Sequence, residues 1–311
     1  MIRALLLAAF AAGLIHPAQA AKTTIRIGYQ KYGTLLLLKA EGSLDGRLKP
    51  LGYAATWTEF PAGPQLLEAM NAGAIDFGLT GEAPPIFAQV AGGDIVYVAN
   101  EPPAPKGEAI LVPKGSAIAT VADLKGKSVA LNKGSNVHYM LVRALEAAGI
   151  AYPDIKPVFL APADARAAFE RGSVDAWAIW DPYLAAAQAA TGARTLTTGE
   201  NLVPNTQFYL ATRAFVSAEP KAVDALVAAL DDVDRRIGRD PAAVVDTVAA
   251  SVRLPPAVVA AALGRQGYGV TRITPAVLAE QQKIADAFLA LRLLPKPLDV
   301  SKAVVSAAPA P

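Results

Sequence analysis

Four short polar clusters in this chain each follow an apolar run and precede a helical pattern. They are Gln30-Lys31-Tyr32-Gly33-Thr34, Thr80-Gly81-Glu82, Asn132-Lys133-Gly134-Ser135-Asn136 and Trp180-Asp181-Pro182. Each reads as the tip of a strand feeding a helix start. Such a tip presents unpaired N–H groups and the positive end of a helix dipole, which is chemistry for an anion. The side chains on offer are largely neutral donors: the Gln30 amide, the hydroxyls of Thr80 and Ser135, and the Asn136 amide, beside the backbone at Gly81 and Gly134. A fully ionised anion can be held by such donors without a buried cation, which avoids the desolvation cost of an ion pair. The Gly-rich spacing of a nucleotide-phosphate loop is absent.

Other chemistries are poorly supplied. There is no cysteine, which removes disulfides, thiol nucleophiles and thiolate metal sites. His16 lies in the first 20 residues, so beyond them His138 is the single histidine; a Ser-His-Asp relay or a histidine metal centre has little to work with. In a first helical turn, His138 is expected at a surface or lining position. Glu82 and Asp181 could face each other as an acid–base pair, but capping of a helix start accounts for both. Lys31, Lys133 and Arg166 near the turns are expected as solvated surface charge. Trp180, at a strand tip, offers an apolar wall; Trp177 and Trp57 are expected in the core.

Two of the clusters share a longer frame. Offsetting residues 69–85 (AMNAGAIDFGLTGEAPP) by 99 aligns Gly73 with Gly172, Asp76 with Asp175 and Glu82 with Asp181. The shared G-x-x-D favours two equivalent α/β lobes facing a common cleft over chance recurrence of strand–turn–helix punctuation. Asp181 is expected to cap a helix with Pro182 at its first position, and Thr34 to cap another.

The elements follow from patterning. Strands are expected at 24–29, 53–60, 75–79, 95–99, 128–131, 155–160, 174–179, 194–198 and 206–212. Helices are expected at 35–40, 64–72, 84–90, 121–124, 138–148, 163–170 and 184–190, then Ala-rich ones at 222–237, 242–252, 256–266 and 275–289. Residues 101–105 (EPPAP) suit neither a helix nor a central strand. The chain is expected to leave the first lobe near 110–113 and return near 201–207. The implied division is a leader at 1–20, a discontinuous first lobe at 21–110 and 206–311, and a second lobe at 111–205, with the two crossings acting as a hinge.

The leader reading rests on Arg3, the apolar run 4–15 and the small-residue site Ala18-Gln19-Ala20; the run is too short to span a bilayer as an anchor. Together with the lack of a cysteine for lipid attachment, it implies a freely diffusing periplasmic protein. Removing the leader takes one base, leaving 28 bases against 27 acids, with no electrostatic drive toward nucleic acid. The Pro- and Ala-rich tail at 307–311 is the one low-complexity segment.

Several stretches resemble the periplasmic aliphatic-sulfonate-binding proteins of ABC importers, in the wider group that includes taurine- and nitrate-binding proteins. They are IGYQKYG (27–33), EFPAGPQLLEAMNAGAIDFGLTGEAPPIFAQ (59–89), VYVANEPPAP (96–105), VADLKGK (121–127), NKGSNVHYMLVRAL (132–145) and PADARAAFERGSVDAWAIWDPY (162–183). The resemblance implies a type II periplasmic binding protein fold: two Rossmann-like α/β lobes joined by a two-strand hinge, with the ligand between them. It implies a monomer that captures alkanesulfonates without a cofactor and delivers them to a membrane permease. Carried onto this chain, the binding set is Gln30, Thr80, Gly81, Ser135 and Asn136, with Trp180, Asp181 and Thr206 nearby and Glu82, His138 and Gln207 as further candidates. Glu82 or Asp181 would suit the ammonium of taurine. The alternatives are a receptor for another small anion such as nitrate, or an enzyme on the same fold. The pyrimidine-synthesising relatives rely on cysteine- and histidine-bearing sites that this chain lacks.

Overall fold

The computed structural model describes residues 23–304; the leader reading of 1–20 and the tail at 307–311 lie outside them. The first part of the chain runs β1 (Thr23–Tyr29), α1 (Thr34–Glu41), α2 (Leu44–Leu48), β2 (Tyr53–Glu59), α3 (Gly63–Asn71), β3 (Phe77–Thr80), α4 (Pro84–Val90) and β4 (Ile95–Asn100). The middle part runs β5 (Glu108–Val112), β6 (Ser128–Leu131), α5 (Asn136–Ala147), β7 (Lys156–Phe159), α6 (Pro162–Glu170), β8 (Ala176–Trp180), α7 (Tyr183–Thr191) and β9 (Arg194–Thr198). The last part runs β10 (Phe208–Thr212), α8 (Arg213–Ala218), α9 (Pro220–Arg239), α10 (Val245–Val252), α11 (Pro256–Leu263), β11 (Thr271–Arg272) and α12 (Pro275–Ala290).

Two sheets result, ordered β11-β4-β10-β3-β1-β2 and β7-β6-β8-β5-β9. Apart from the short edge strand β11, the two orders are the same. In each, a parallel trio (β2-β1-β3, β7-β6-β8) is joined by a strand from the other side of the molecule. That strand, β10 or β5, runs antiparallel to the third strand of the trio and to the outer strand beyond it. Helices cover both faces, so the central strands read as continuous apolar runs: every residue of β4 (IVYVAN) and β8 (AWAIW) is buried. α9 covers the first sheet with Ala222, Leu226, Leu230, Val233 and Ile237, spaced at three and four on one face, and turns its charges outward.

The repeat read from the sequence has a physical basis. The Asp76 amide donates to the Arg26 carbonyl, and its carboxylate accepts the Arg26 amide at 2.8 Å. Asp175 makes the same reciprocal pair with Ser128, its carboxylate accepting that amide at 2.7 Å. Each aspartate locks the entry of one strand to the first strand of its parallel trio.

β5 pairs wholly within the second sheet, so the outgoing crossing is 101–107, a few residues before the expected boundary at 110. The two crossings are tied together: the Glu101 amide donates to Gln207, the Ala104 amide to Pro204, and the Asn205 side-chain amide to the Ala104 carbonyl at 2.8 Å. On the far side, α12 spans the lobes: its Gln281 donates to the Glu82 carbonyl, and its Phe288 packs on Phe87 of α4 and on His138 and Tyr139 of α5.

Three local expectations are corrected. Gly33, not Thr34, caps α1: it sits at φ 77°, where a Cβ would lie 2.3 Å from the Leu79 side chain, and Thr34 becomes the first helical residue, its hydroxyl donating to Asp234. Pro182 occupies the cap position of α7 rather than its first turn; Asp181 still serves this helix, accepting the Ala185 amide at 3.0 Å. Trp57 is only partly buried, because β2 is the edge strand of its sheet.

Candidate functional site

The carboxyl ends of both parallel trios face the gap between the lobes, the position where open α/β sheets bind ligands. A narrow cleft lies there. Tyr32 and Gly33 from the start of α1 line one side, and Asn136, Trp180 and Asp181 line the other. Glu101, Asn205 and Gln207 on the crossing segments form the base. α1 and α5 thus point their N-termini into it from opposite lobes. The amides of Thr34, Leu35, Asn136 and Val137 have no acceptor among the described residues, as first-turn amides do not.

Asn136 is the hub. Its amide donates to Glu108 Oε2 at 2.6 Å and to Asn205 Oδ1 at 3.1 Å. Asn205 Oδ1 also accepts from Gln207 at 3.1 Å, and Gln207 accepts the Tyr32 hydroxyl at 3.0 Å. A chain of neutral groups therefore runs Asn136–Asn205–Gln207–Tyr32 from one lobe to the other. Gly81 meets the same hub from the first lobe: a Cβ there would lie 2.9 Å from Asn136 Cβ.

Of the residues predicted from sequence, Asn136, Trp180, Asp181 and Gln207 line the cleft, and Gly81 abuts Asn136. The others stand behind and hold the loops. Gln30 donates to the Leu79 carbonyl at 3.0 Å, and the Thr80 hydroxyl to the Gly81 carbonyl at 3.0 Å. The Ser135 hydroxyl donates to the Asn132 carbonyl at 2.7 Å, so it is committed to its own turn and not free as the expected donor. Glu82 accepts the Thr206 amide at 2.9 Å, which pins the return crossing. His138 is not at a surface or lining position: it is wholly buried among Phe87, Phe159 and Phe288. Its Nδ1 accepts the Gly134 amide at 3.2 Å, which assigns the proton to Nε2, 2.9 Å from the Tyr152 hydroxyl. Burial pushes His138 down to about 4, so it is neutral and braces the NKGSN turn.

Lys31 pairs with Glu59 at 3.4 Å, Arg166 with Glu170 at 2.7 Å, and Lys133 lies over the Phe159 ring, all outside the cleft lining. The cation that does reach the site was not anticipated. Arg265, just past α11, donates from Nη1 to both Asp181 oxygens at 3.1 and 3.2 Å and from Nη2 to Gln188 at 3.0 Å, joining the lobes across the mouth. Glu101, Glu108 and Asn205 were also missed. A carboxylate within EPPAP and another heading the apolar strand EAILV were the available signals, since neither has a structural reason to be charged there.

The surrounding acids do not make the cleft negative. Burial pushes Glu82 up to about 8. Glu108 is driven well up by burial and by Glu82, and Glu101 up by burial and by Asp234. Burial thus favours the protonated form in all three, and Glu82, raised above neutrality, holds its proton at pH 7. The remaining oxygens of Glu82 and Glu108 have no partner among the described residues, which fits neutral carboxyls better than buried carboxylates. Asp181 is raised to about 6 by burial against the pull of Arg265, and it is ionised and paired at pH 7. No cluster of metal-ligating side chains is found among the described residues. The site is a nearly neutral cage of amides between two helix N-termini, suited to an anion that stays ionised.

Comparison with known proteins agrees. The pattern of the NMT1/THI5 like family matches residues 59–242. The alkanesulfonate-binding protein SsuA from Xanthomonas axonopodis pv. citri, bound to MOPS, is 46% identical with a TM-score of 0.88, covering 92% of this chain and 99% of that one. The periplasmic aliphatic sulphonate binding protein SsuA from Escherichia coli is 44% identical with a TM-score of 0.82, covering 91% and 92%. A curated aliphatic sulfonates-binding protein of Escherichia coli (strain K12) is 44% identical over 289 residues, covering 92% of this chain and 90% of that one. The fold is that of the periplasmic binding proteins, two α/β lobes about a cleft, and the chain belongs to the NMT1/THI5-like family, among its aliphatic sulfonate-binding members.

Proposed function

We propose that this protein is the periplasmic receptor of an importer, that it closes its two lobes on an aliphatic sulfonate, and that it hands the ligand to a membrane permease. The observation that carries the reading is the convergence of the α1 and α5 N-termini on the Asn136–Asn205–Gln207–Tyr32 chain, with the nearby carboxyls neutralised by burial. A sulfonate remains ionised at any physiological pH and carries three acceptor oxygens, which matches donors that bring no proton and no countercharge. The similarity to sulfonate-binding proteins supports the same ligand class.

The role is capture, not turnover. The cleft lining holds no thiol, and its carboxyls are either neutral or paired with arginine. Calorimetry of the protein from residue 21 onward, against ethanesulfonate, taurine, nitrate, sulfate and acetate, tests the reading. Heat with sulfonates and recovery of the ligand unchanged are expected. Absence of binding to every sulfonate overturns the assignment, and chemical conversion of a bound ligand overturns the receptor role.

A further inference from the structure

Two carboxyls stand behind the donor hub, one from each lobe. Glu82 directly precedes α4 and accepts the Thr206 amide of the return crossing at 2.9 Å. Glu108 heads β5 and accepts the Asn136 side-chain amide at 2.6 Å. Both are wholly buried, and the Oε1 of each has no partner among the described residues. They lie close enough that charge on Glu82 disfavours charge on Glu108.

The groups around this pair do not favour its ionisation. Glu280 of α12 acts on Glu82 as a like charge. Tyr139 of α5 faces Glu82 and Tyr32 faces Glu108, both as uncharged phenols. Glu101, also at the base of the cleft, answers to Asp234 instead. Arg265, the cation of the site, is committed to Asp181 at the mouth. Burying an unpaired carboxylate costs far more than burying the acid, so an enclosed pair of this kind is held protonated.

The enclosure depends on the lobes meeting. Gly81, next to Glu82, packs on Asn136, which is bonded to Glu108. Parting the lobes breaks that contact and admits water to both carboxyls. We propose that Glu82 and Glu108 are positioning residues that hold the return crossing and Asn136 as uncharged acids, so that closing on a sulfonate takes up protons from solvent. The inference rests on the proposed receptor that closes on its ligand. The closed molecule binds these protons more tightly than the open one, so affinity is highest at low pH. It weakens as pH climbs toward 8, the value to which enclosure raises Glu82.

The test counts protons directly. Unbuffered protein is titrated with sodium ethanesulfonate, which has no titrating group at these pH values, in a pH-stat at about pH 7.5. Calorimetry in bis-Tris and Tris, buffers that carry no sulfonate, follows affinity from pH 6.5 to 8. Uptake of about one proton per ligand is expected, with affinity falling about tenfold per pH unit. The double variant Glu82→Gln, Glu108→Gln keeps an acceptor at each position and cannot titrate; its uptake should vanish and its affinity profile should be flat. Ethanesulfonate binding to the native protein with no proton uptake and no change across the pH range overturns the coupling and leaves the sulfonate site intact. Uptake that survives in the double variant overturns the assignment to these two residues. Absence of binding to the native protein at every pH overturns the sulfonate reading itself.

Discussion

Gly81 of the first lobe and Asn136 of the second pack so closely that a methyl group on Gly81 would lie 2.9 Å from Asn136 Cβ and Cγ. The lobes are therefore tightly packed at the residue that organises the donors. Gly81→Ala should hold the lobes apart and weaken ligand affinity by about tenfold, in line with overpacking a tight contact. Thermal stability should change little, because each lobe keeps its own core. Calorimetry, with small-angle scattering of the ligand-saturated protein, reads both effects; a fully closed variant with native affinity would contradict the contact.

Arg265 and Asp181 form the opposite clasp, across the mouth. Arg265→Ala removes both the ion pair and the bond to Gln188 and leaves Asp181 buried without a cation. A loss of about tenfold in affinity is expected, mainly as faster dissociation, with a smaller loss for Arg265→Lys, which keeps a cation for Asp181 but lacks the second nitrogen that reaches Gln188. Stopped-flow dissociation rates on the two variants check this order.

Glu82 and His138 give opposite pH dependences. Glu82 is raised from 4.5 to about 8, so the folded state holds its proton more tightly, and stability is lost as pH climbs through that interval. His138 is lowered from 6.5 to about 4, so its contribution is present above 6.5 and is lost as pH falls toward 4. The two partly cancel between 4.5 and 6.5. Above 6.5 the histidine no longer contributes a slope, Glu82 and the other buried carboxyls act in the same direction, and the urea midpoint should decline from pH 6.5 to 8. Glu82→Gln should flatten that decline, and adding Glu108→Gln should flatten it further. A midpoint that rises over this range would refute the assignment of neutral carboxyls.

Replacing His138 with Phe keeps the aromatic packing but strips the Gly134 amide and the Tyr152 hydroxyl of their partner. A cost of about 1–3 kcal/mol in stability is expected for such unsatisfied buried groups. Because the Gly134 amide belongs to the turn that presents Asn136, affinity should fall as well. Native affinity in a destabilised variant would show that the histidine braces the core and not the site.

Much of this architecture was legible in the chain because each structural device leaves a short local mark. Asp76 and Asp175 could be matched because each follows a glycine at a fixed spacing and serves a backbone amide. Trp180 and Asp181 announced a strand tip through the proline that follows. The site was less legible, since it depends on contacts between distant segments. Asn205 and Arg265 meet Asn136 and Asp181 only in the folded chain, and no local pattern marks them. Ser135 and Thr80 failed as free donors because their hydroxyls are consumed by neighbouring carbonyls at the same turns. His138 read as a first-turn surface residue because the phenylalanines that bury it come from α4, β7 and α12, far apart in the chain.

The placement of β10 between β3 and β4 has a consequence for assembly. Within its sheet, β4 touches only β10 and β11, both of which come more than 100 residues later in the chain. As the chain emerges N-terminus first, the second lobe, contiguous from β5 to β9, can complete itself while IVYVAN still waits with both edges bare. Such a strand is prone to pair with a neighbouring molecule until residues 208–212 arrive. The order of synthesis thus leaves the first lobe in need of protection for longer than the second.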